Sequence, residues 1–166
     1  MNQMQEMTRA AEEAGHVLLE KGCMLVTAES CTGGLIGAVC TQVPGSSSWF
    51  FGGVISYANE AKMQGLSVAE ETLLTFGAVS EQTVREMCAG ALQLGGNISV
   101  AVSGVAGPGG GSEEKPVGCV YIGWQLLGQE AKVERFQFSG DRQAVREATV
   151  FAALRGVKAL LNDALK

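Results

Sequence analysis

Histidine is almost missing from this chain. The 166 residues contain one, His16, and it falls in the opening helical segment, far in sequence from every glycine-rich loop. A lone helix histidine reads as an ordinary side chain rather than a base, so a Ser-His-Asp triad is not expected. Metal ligands are equally scarce. The five cysteines (Cys23, Cys31, Cys40, Cys88 and Cys119) form no CxxC pair, and with one histidine they do not build a zinc cage, so no metal is expected. An odd number of unpaired cysteines suits buried small thiols in a reducing compartment. Charge is sparse at 17%, the net charge is −5, and the basic residues are scattered. Nucleic acid demands clustered Lys and Arg, so it is excluded as a partner. No apolar run approaches the roughly 20 residues of a membrane span, and the first residues lack the basic and apolar regions of a signal peptide. The expectation is a cytoplasmic protein with no membrane partner. Neither GxxxxGK[ST] nor a post-strand GxGxxG occurs, which removes the two common phosphate-loop signatures.

What is abundant is glycine, 23 residues, alongside 46% hydrophobic residues. One globular domain over residues 1–166, with many tight turns, accommodates both. Met4, Met7, Ala11, Ala14 and Leu18 mark one face of an amphipathic helix ending near Gly22. Residues 24–28 read as a buried strand that runs through Glu29-Ser30-Cys31-Thr32-Gly33-Gly34 into a helix over 35–43. Residues 49–57 predict a strand, and Asn59 a cap for a short helix carrying Lys62. A further short helix is expected over 70–74, and Ser80 caps a longer one reaching about Leu94. Residues 97–105 form a second apolar strand. Residues 117–127 and 131–138 pair as a hairpin about Gly128, and the last helix starts near Asp141. This order predicts a three-layer α/β/α sandwich with a mixed sheet.

Without histidine, a hydrolytic nucleophile needs another base, and lysine with a lowered pKa is the usual substitute. Lys62 is the candidate. In the first turn of a helix capped by Asn59, the dipole disfavours its charge. Tyr57, at the preceding strand end, offers a hydroxyl to relay or orient the proton. Two nucleophiles stay open: Ser47, which composition does not rank above Ser46 or Ser48, and Cys31, a thiol before a helix N-terminus. Thr32-Gly33-Gly34 precedes a helix and presents backbone N–H groups to an anion. The loop 107–111 permits close backbone approach to a ligand. Arg142 and Arg146, four apart on the last helix, make a cationic face suited to a phosphate.

In order along the chain, ThrAlaGluSerCysThrGlyGly (27–34), ProGlySerSer (44–47), SerTyrAlaAsnGluAlaLys (56–62), GlyAlaValSerGlu (77–81), SerGlyValAlaGlyProGlyGlyGly (103–111), GluLysProValGly (114–118) and GlyAspArg (140–142) resemble the C-terminal domain family of competence-damage-inducible protein A. The likeness spans about residues 5–165. It implies a cofactor-free nicotinamide-nucleotide amidase of the stand-alone form, a homo-oligomer of two or more copies. Its substrate would be a small mononucleotide, nicotinamide mononucleotide, hydrolysed to nicotinate mononucleotide and ammonia in pyridine nucleotide recycling. The same resemblance implies Ser47 as nucleophile with Lys62 and Tyr57. Taken with the loop and arginine readings above, it points to substrate binding by Glu29, Ser30, Thr32, Gly33, Gly34, Ser46, Ser103, Gly104, Gly107, Arg142 and Arg146. Phe51-Gly52 departs from the Glu-Arg pair of many members. The rival reading is a catalytically silent nucleotide-binding paralogue.

Overall fold

A computed structural model of the chain describes residues 1–164. Helix α1 (Gln3–Glu20) opens with a reciprocal cap, the Asn2 side chain taking the Gln5 N–H and Gln5 returning a bond to the Asn2 N–H. Strand β1 (Leu25–Glu29) leads into α2 (Leu35–Thr41). A single 3₁₀ turn, Ser46–Ser48, precedes β2 (Phe50–Ile55). Three helices follow, α3 (Asn59–Leu66), α4 (Glu70–Phe76) and α5 (Glu81–Leu94). Then come β3 (Ile98–Gly104), the hairpin β4 (Cys119–Leu126) and β5 (Lys132–Gln137), and α6 (Arg142–Ala164).

The strands form one sheet in the order β2-β1-β3-β4-β5. β1 runs parallel to both β2 and β3, while β3–β4 and β4–β5 are antiparallel, so the expected mixed sheet is present. Helices α1, α2 and α6 cover one face through a core that includes Leu18, Ile36, Val39, Val100, Ile122 and Leu154. Helices α3 to α5 cover the other, with Val26, Ala28, Leu66, Met87 and Ala101 buried between. Continuous burial along β1 and nearly all of β3 explains their unbroken apolar runs: both faces of each strand are covered.

The crossovers position the site. β1 leaves through α2 toward β2 on one face, whereas the β2–β3 connection passes over the other face and lands on the far side of β1. Chain direction therefore diverges between the carboxyl ends of β1 and β3, and that divergence opens a crevice in a parallel sheet.

One local expectation differs in detail. Ser80 caps α5 as predicted, its hydroxyl accepting the Thr83 N–H at 3.2 Å. Helix α3, however, begins at Asn59 itself with Ala58 in the cap position and no side-chain cap. Lys62 still lies in the first turn, its N–H bonded to Ala58 O at 3.1 Å. At Phe51 the β1–β2 register slips, and the ring of this bulged residue lies against Gly95.

Candidate active site

Ser30 follows directly on β1, and its N–H reaches Val102 O on β3 at 3.1 Å, so the strand pairing holds it at the crevice. Opposite stands Lys62. Its side chain is the largest of those that are fully buried, at 1% exposure. Its amine meets three oxygens: Ser56 O at 2.7 Å, Ser30 Oγ at 2.9 Å and Tyr57 O at 3.2 Å. Burial lowers its pKa from 10.5 to about 8, while the Cys31 thiol nearby opposes that shift weakly. An ammonium has three N–H donors for these three acceptors. A neutral amine has two, which the carbonyls of Ser56 and Tyr57 retain, leaving its lone pair facing the Ser30 hydroxyl. The arrangement suits proton transfer from serine to lysine.

Around this pair lies a cavity of about 170 Å³ lined by Ser30, Cys31, Tyr57, Lys62, Ala78, Val79, Ser103, Gly104, Ala106 and Arg142. A dry cavity of ~150 Å³ admits a benzene ring, so one aromatic ring is the scale of its occupant. Ala106 and Arg142 also line an adjoining cavity of about 880 Å³.

Ser47 is not in the pocket. It sits in the 3₁₀ turn before β2, whereas Ser56 and Tyr57, whose carbonyls hold Lys62, follow the end of that strand. Six strand residues separate the two ends by about 20 Å. The reason is topological: β2 is parallel to β1, so residues preceding β2 fall at the amino edge of the sheet and residues following β1 at the carboxyl edge. Ser46 is buried at that same distant edge. The Phe51-Gly52 departure also belongs there, at the start of β2, away from Lys62.

Glu29 and Thr32 are buried but turned inward. Glu29 Oε1 accepts the Thr32 hydroxyl at 2.6 Å and the Ile36 N–H at 2.8 Å, and Oε2 accepts the Gly37 N–H at 3.0 Å. The N-terminus of α2, expected to receive a substrate anion at Thr32-Gly33-Gly34, thus already holds a carboxylate of the chain itself. Gly34 takes the left-handed conformation (φ 102°) that joins this turn to the helix.

Tyr57 meets Lys62 through its carbonyl. Its hydroxyl instead accepts from Arg142 Nη2 at 3.0 Å, and Arg142 Nη1 donates to Gly107 O at 2.8 Å. Arg146 clamps the loop after β1, donating to Cys31 O at 3.2 Å and Thr32 O at 2.8 Å. Both arginines therefore fasten α6 to the pocket loops. Cys31 is buried and its thiol is pushed up to about 11, chiefly by desolvation, the opposite of the low-pKa thiolate expected of the alternative nucleophile. His16 is exposed on α1, 3.7 Å from Glu20. Ala78, Val79 and Ala106 were not foreseen as lining, nor the carbonyl of Ser56 as a partner of Lys62. Backbone acceptors and small apolar walls carry no sequence signature.

The model of the CinA C-terminal domain matches residues 7–161. The chain belongs to this family. Among curated relatives of the CinA domain, it is 48% identical over 149 residues to the nicotinamide-nucleotide amidohydrolase PncC of Escherichia coli K12, covering 89% of this chain and 90% of that protein. It is 47% identical to the PncC of Enterobacter agglomerans, covering 91% and 93%. In a CinA-like protein of Chloroherpeton thalassium, 47% identical, the match covers 91% of this chain but 37% of the relative, so there the CinA domain is part of a longer chain. Solved CinA superfamily structures superpose closely. A Klebsiella pneumoniae member gives a TM-score of 0.91 at 35% identity over 98% and 99% of the two chains. The competence/damage inducible protein CihA of Agrobacterium tumefaciens gives 0.89 at 41% identity over 98% and 97%.

Proposed function

We propose that this CinA domain hydrolyses the carboxamide of nicotinamide mononucleotide to nicotinate mononucleotide and ammonia, with Ser30 as nucleophile and Lys62 as base. The observation that carries the reading is the 2.9 Å contact between Ser30 Oγ and a buried amine whose pKa is lowered to about 8. The names of the PncC relatives support the substrate. Neutral Lys62 takes the Ser30 proton as Oγ attacks the carboxamide carbon. The tetrahedral oxyanion then collapses, Lys62 returns the proton to the departing nitrogen, and ammonia leaves. A water, deprotonated by Lys62, hydrolyses the resulting ester and frees Ser30. The turn after Ser30 is closed by Gly33 N–H to Ser30 O and Leu35 N–H to Thr32 O. The N–H groups of Cys31 and Thr32 lie outside those bonds and are the proposed oxyanion donors.

Neither metal nor cofactor enters this scheme, so chelator leaves the rate unchanged. A homo-oligomer in the cytoplasm, as the resemblance implies, completes the proposal. Among the described residues, no helix is long and apolar enough to cross a membrane. The deciding experiment is incubation of the purified protein with nicotinamide mononucleotide and measurement of ammonia. Binding without ammonia release would favour the silent paralogue.

A further inference from the structure

Two buried carboxyl side chains in this fold invite comparison. Glu29 is 2% exposed and receives three donors from its own chain. Glu147, on α6, is 7% exposed, and its Oε2 has no hydrogen-bond partner among the described residues. A buried carboxylate without a donor destabilises the fold, and such a group is normally hydrogen-bonded in the working state. The neighbouring cations do not serve it. Arg146 is directed to Cys31 O and Thr32 O, and Arg142 to Gly107 O and the Tyr57 hydroxyl. The only other buried side-chain atom in this condition, among the described residues, is Gln125 Oε1 on β4, which lies outside both cavities of the site.

Glu147 lines the cavity of about 880 Å³ that continues from the Ser30–Lys62 pocket past Ala106 and Arg142. That cavity has apolar walls in Met7, Leu35 and Pro108. A mononucleotide with its carboxamide at Ser30 extends its sugar and phosphate toward this space. A neutral vicinal diol supplies two O–H donors, which match the two oxygens of a carboxylate without adding a charge. The phosphate, repelled by a carboxylate, is directed instead to the arginines. Each of these uses two of its five N–H donors within the chain and keeps the others.

We propose that Glu147 accepts hydrogen bonds from the ribosyl hydroxyls of the bound mononucleotide and so selects for an intact ribose. The proposal rests on the amidase reading for the placement of the carboxamide. A hydrogen bond to a charged acceptor corresponds to about tenfold to a hundredfold in affinity.

The test compares nicotinamide mononucleotide with its 2′-deoxy and 3′-deoxy counterparts, by calorimetric binding and by ammonia release. Wild type, Glu147→Leu and the near-isosteric Glu147→Gln are measured side by side. The wild type is expected to bind the parent at least tenfold more tightly than the weaker deoxy compound. In Glu147→Leu that ratio should fall to about twofold or less, with the loss falling on KM more than on kcat. Glu147→Gln should lie between, and it keeps the comparison intact if the leucine variant does not fold. Equal weakening of parent and deoxy ligands in the variants would make Glu147 a structural residue and overturn the proposal. So would unchanged affinity accompanied by a raised melting temperature. Wild type that releases no ammonia yet discriminates the deoxy ligands would remove the amidase reading and leave the ribose site standing. Ammonia release without discrimination would remove the ribose site alone.

Discussion

Lys62 could be singled out from the sequence as a candidate base, since no usable histidine was present and it falls in a first helical turn; the lowering of its pKa, however, comes from burial, which the sequence does not record. Its partner was not legible. Nothing in residues 44–48 says that they precede a parallel strand, and that single topological fact puts Ser47 at the wrong edge of the sheet. The assignments now separate by mutation. Ser30→Ala should lower kcat by about 10³-fold or more, the scale expected when a nucleophile is lost. Ser47→Ala should stay within about twofold of wild type, and Cys31→Ala should keep substantial activity. Ammonia release decides each, and a dead Ser47→Ala enzyme with a live Ser30→Ala would reverse the assignment.

The amine itself predicts a pH profile. With a pKa of about 8, roughly a tenth of Lys62 is neutral at pH 7, half at pH 8 and nine tenths at pH 9. Turnover should therefore rise about fivefold from pH 7 to 8 and level off near pH 9. Lys62→Arg should be inactive, because a guanidinium keeps its proton. Stability moves in the same window. The folded state binds this proton less tightly than the unfolded chain, so protonation favours unfolding. The Lys62 contribution is fully present above the free-lysine value of about 10.4, and it declines as pH falls to about 8. Below that it is constant, at a penalty of about 3 kcal/mol. Denaturant unfolding of wild type against Lys62→Met from pH 10 to 7 checks this: the difference should shift toward the methionine variant and then flatten. A difference independent of pH would show that Lys62 titrates normally.

Among the elements, α2 and α3 matter most to the site. The helical periods and the Ser80 cap were readable because they are local. The cap of α2 was not, since its acceptor is the last residue of the preceding strand rather than a residue in the usual cap position. Helix α3 is seated by a close approach that only a missing side chain allows: a Cβ on Gly90 of α5 would stand 1.9 Å from Leu66 O. Gly90→Ala should therefore push α3 off α5, costing about 1–3 kcal/mol as an overpacked contact. It should also lower kcat by displacing Lys62. Thermal unfolding and turnover measured on the same preparation check both. A normal melting temperature with normal activity would mean that α3 is free to shift.

For the molecule as a whole, the three-layer sandwich and mixed sheet were readable from the alternation of apolar runs, helical periods and one hairpin. The strand order was not, because a sequence does not record which side of β1 receives β3. Yet that order creates the crevice, bringing Ser30, Lys62, Ser103 and Gly104 together from widely separated segments.

The fastening of α6 has a consequence for how the protein is made. Its guanidinium contacts to Cys31, Thr32, Gly107 and Tyr57 tie the last helix to loops translated long before it. The first helix also waits, since α1 packs against α6 and Glu13 meets Lys158 at 3.6 Å. A nascent chain from which α6 has not yet emerged therefore has an uncovered sheet face and loosely held pocket loops, the condition in which partly made domains aggregate. Residues 142–164 must be translated before the pocket can be set, and a ribosome stalled near Gly140 would yield a product unable to hold its own pocket loops in place.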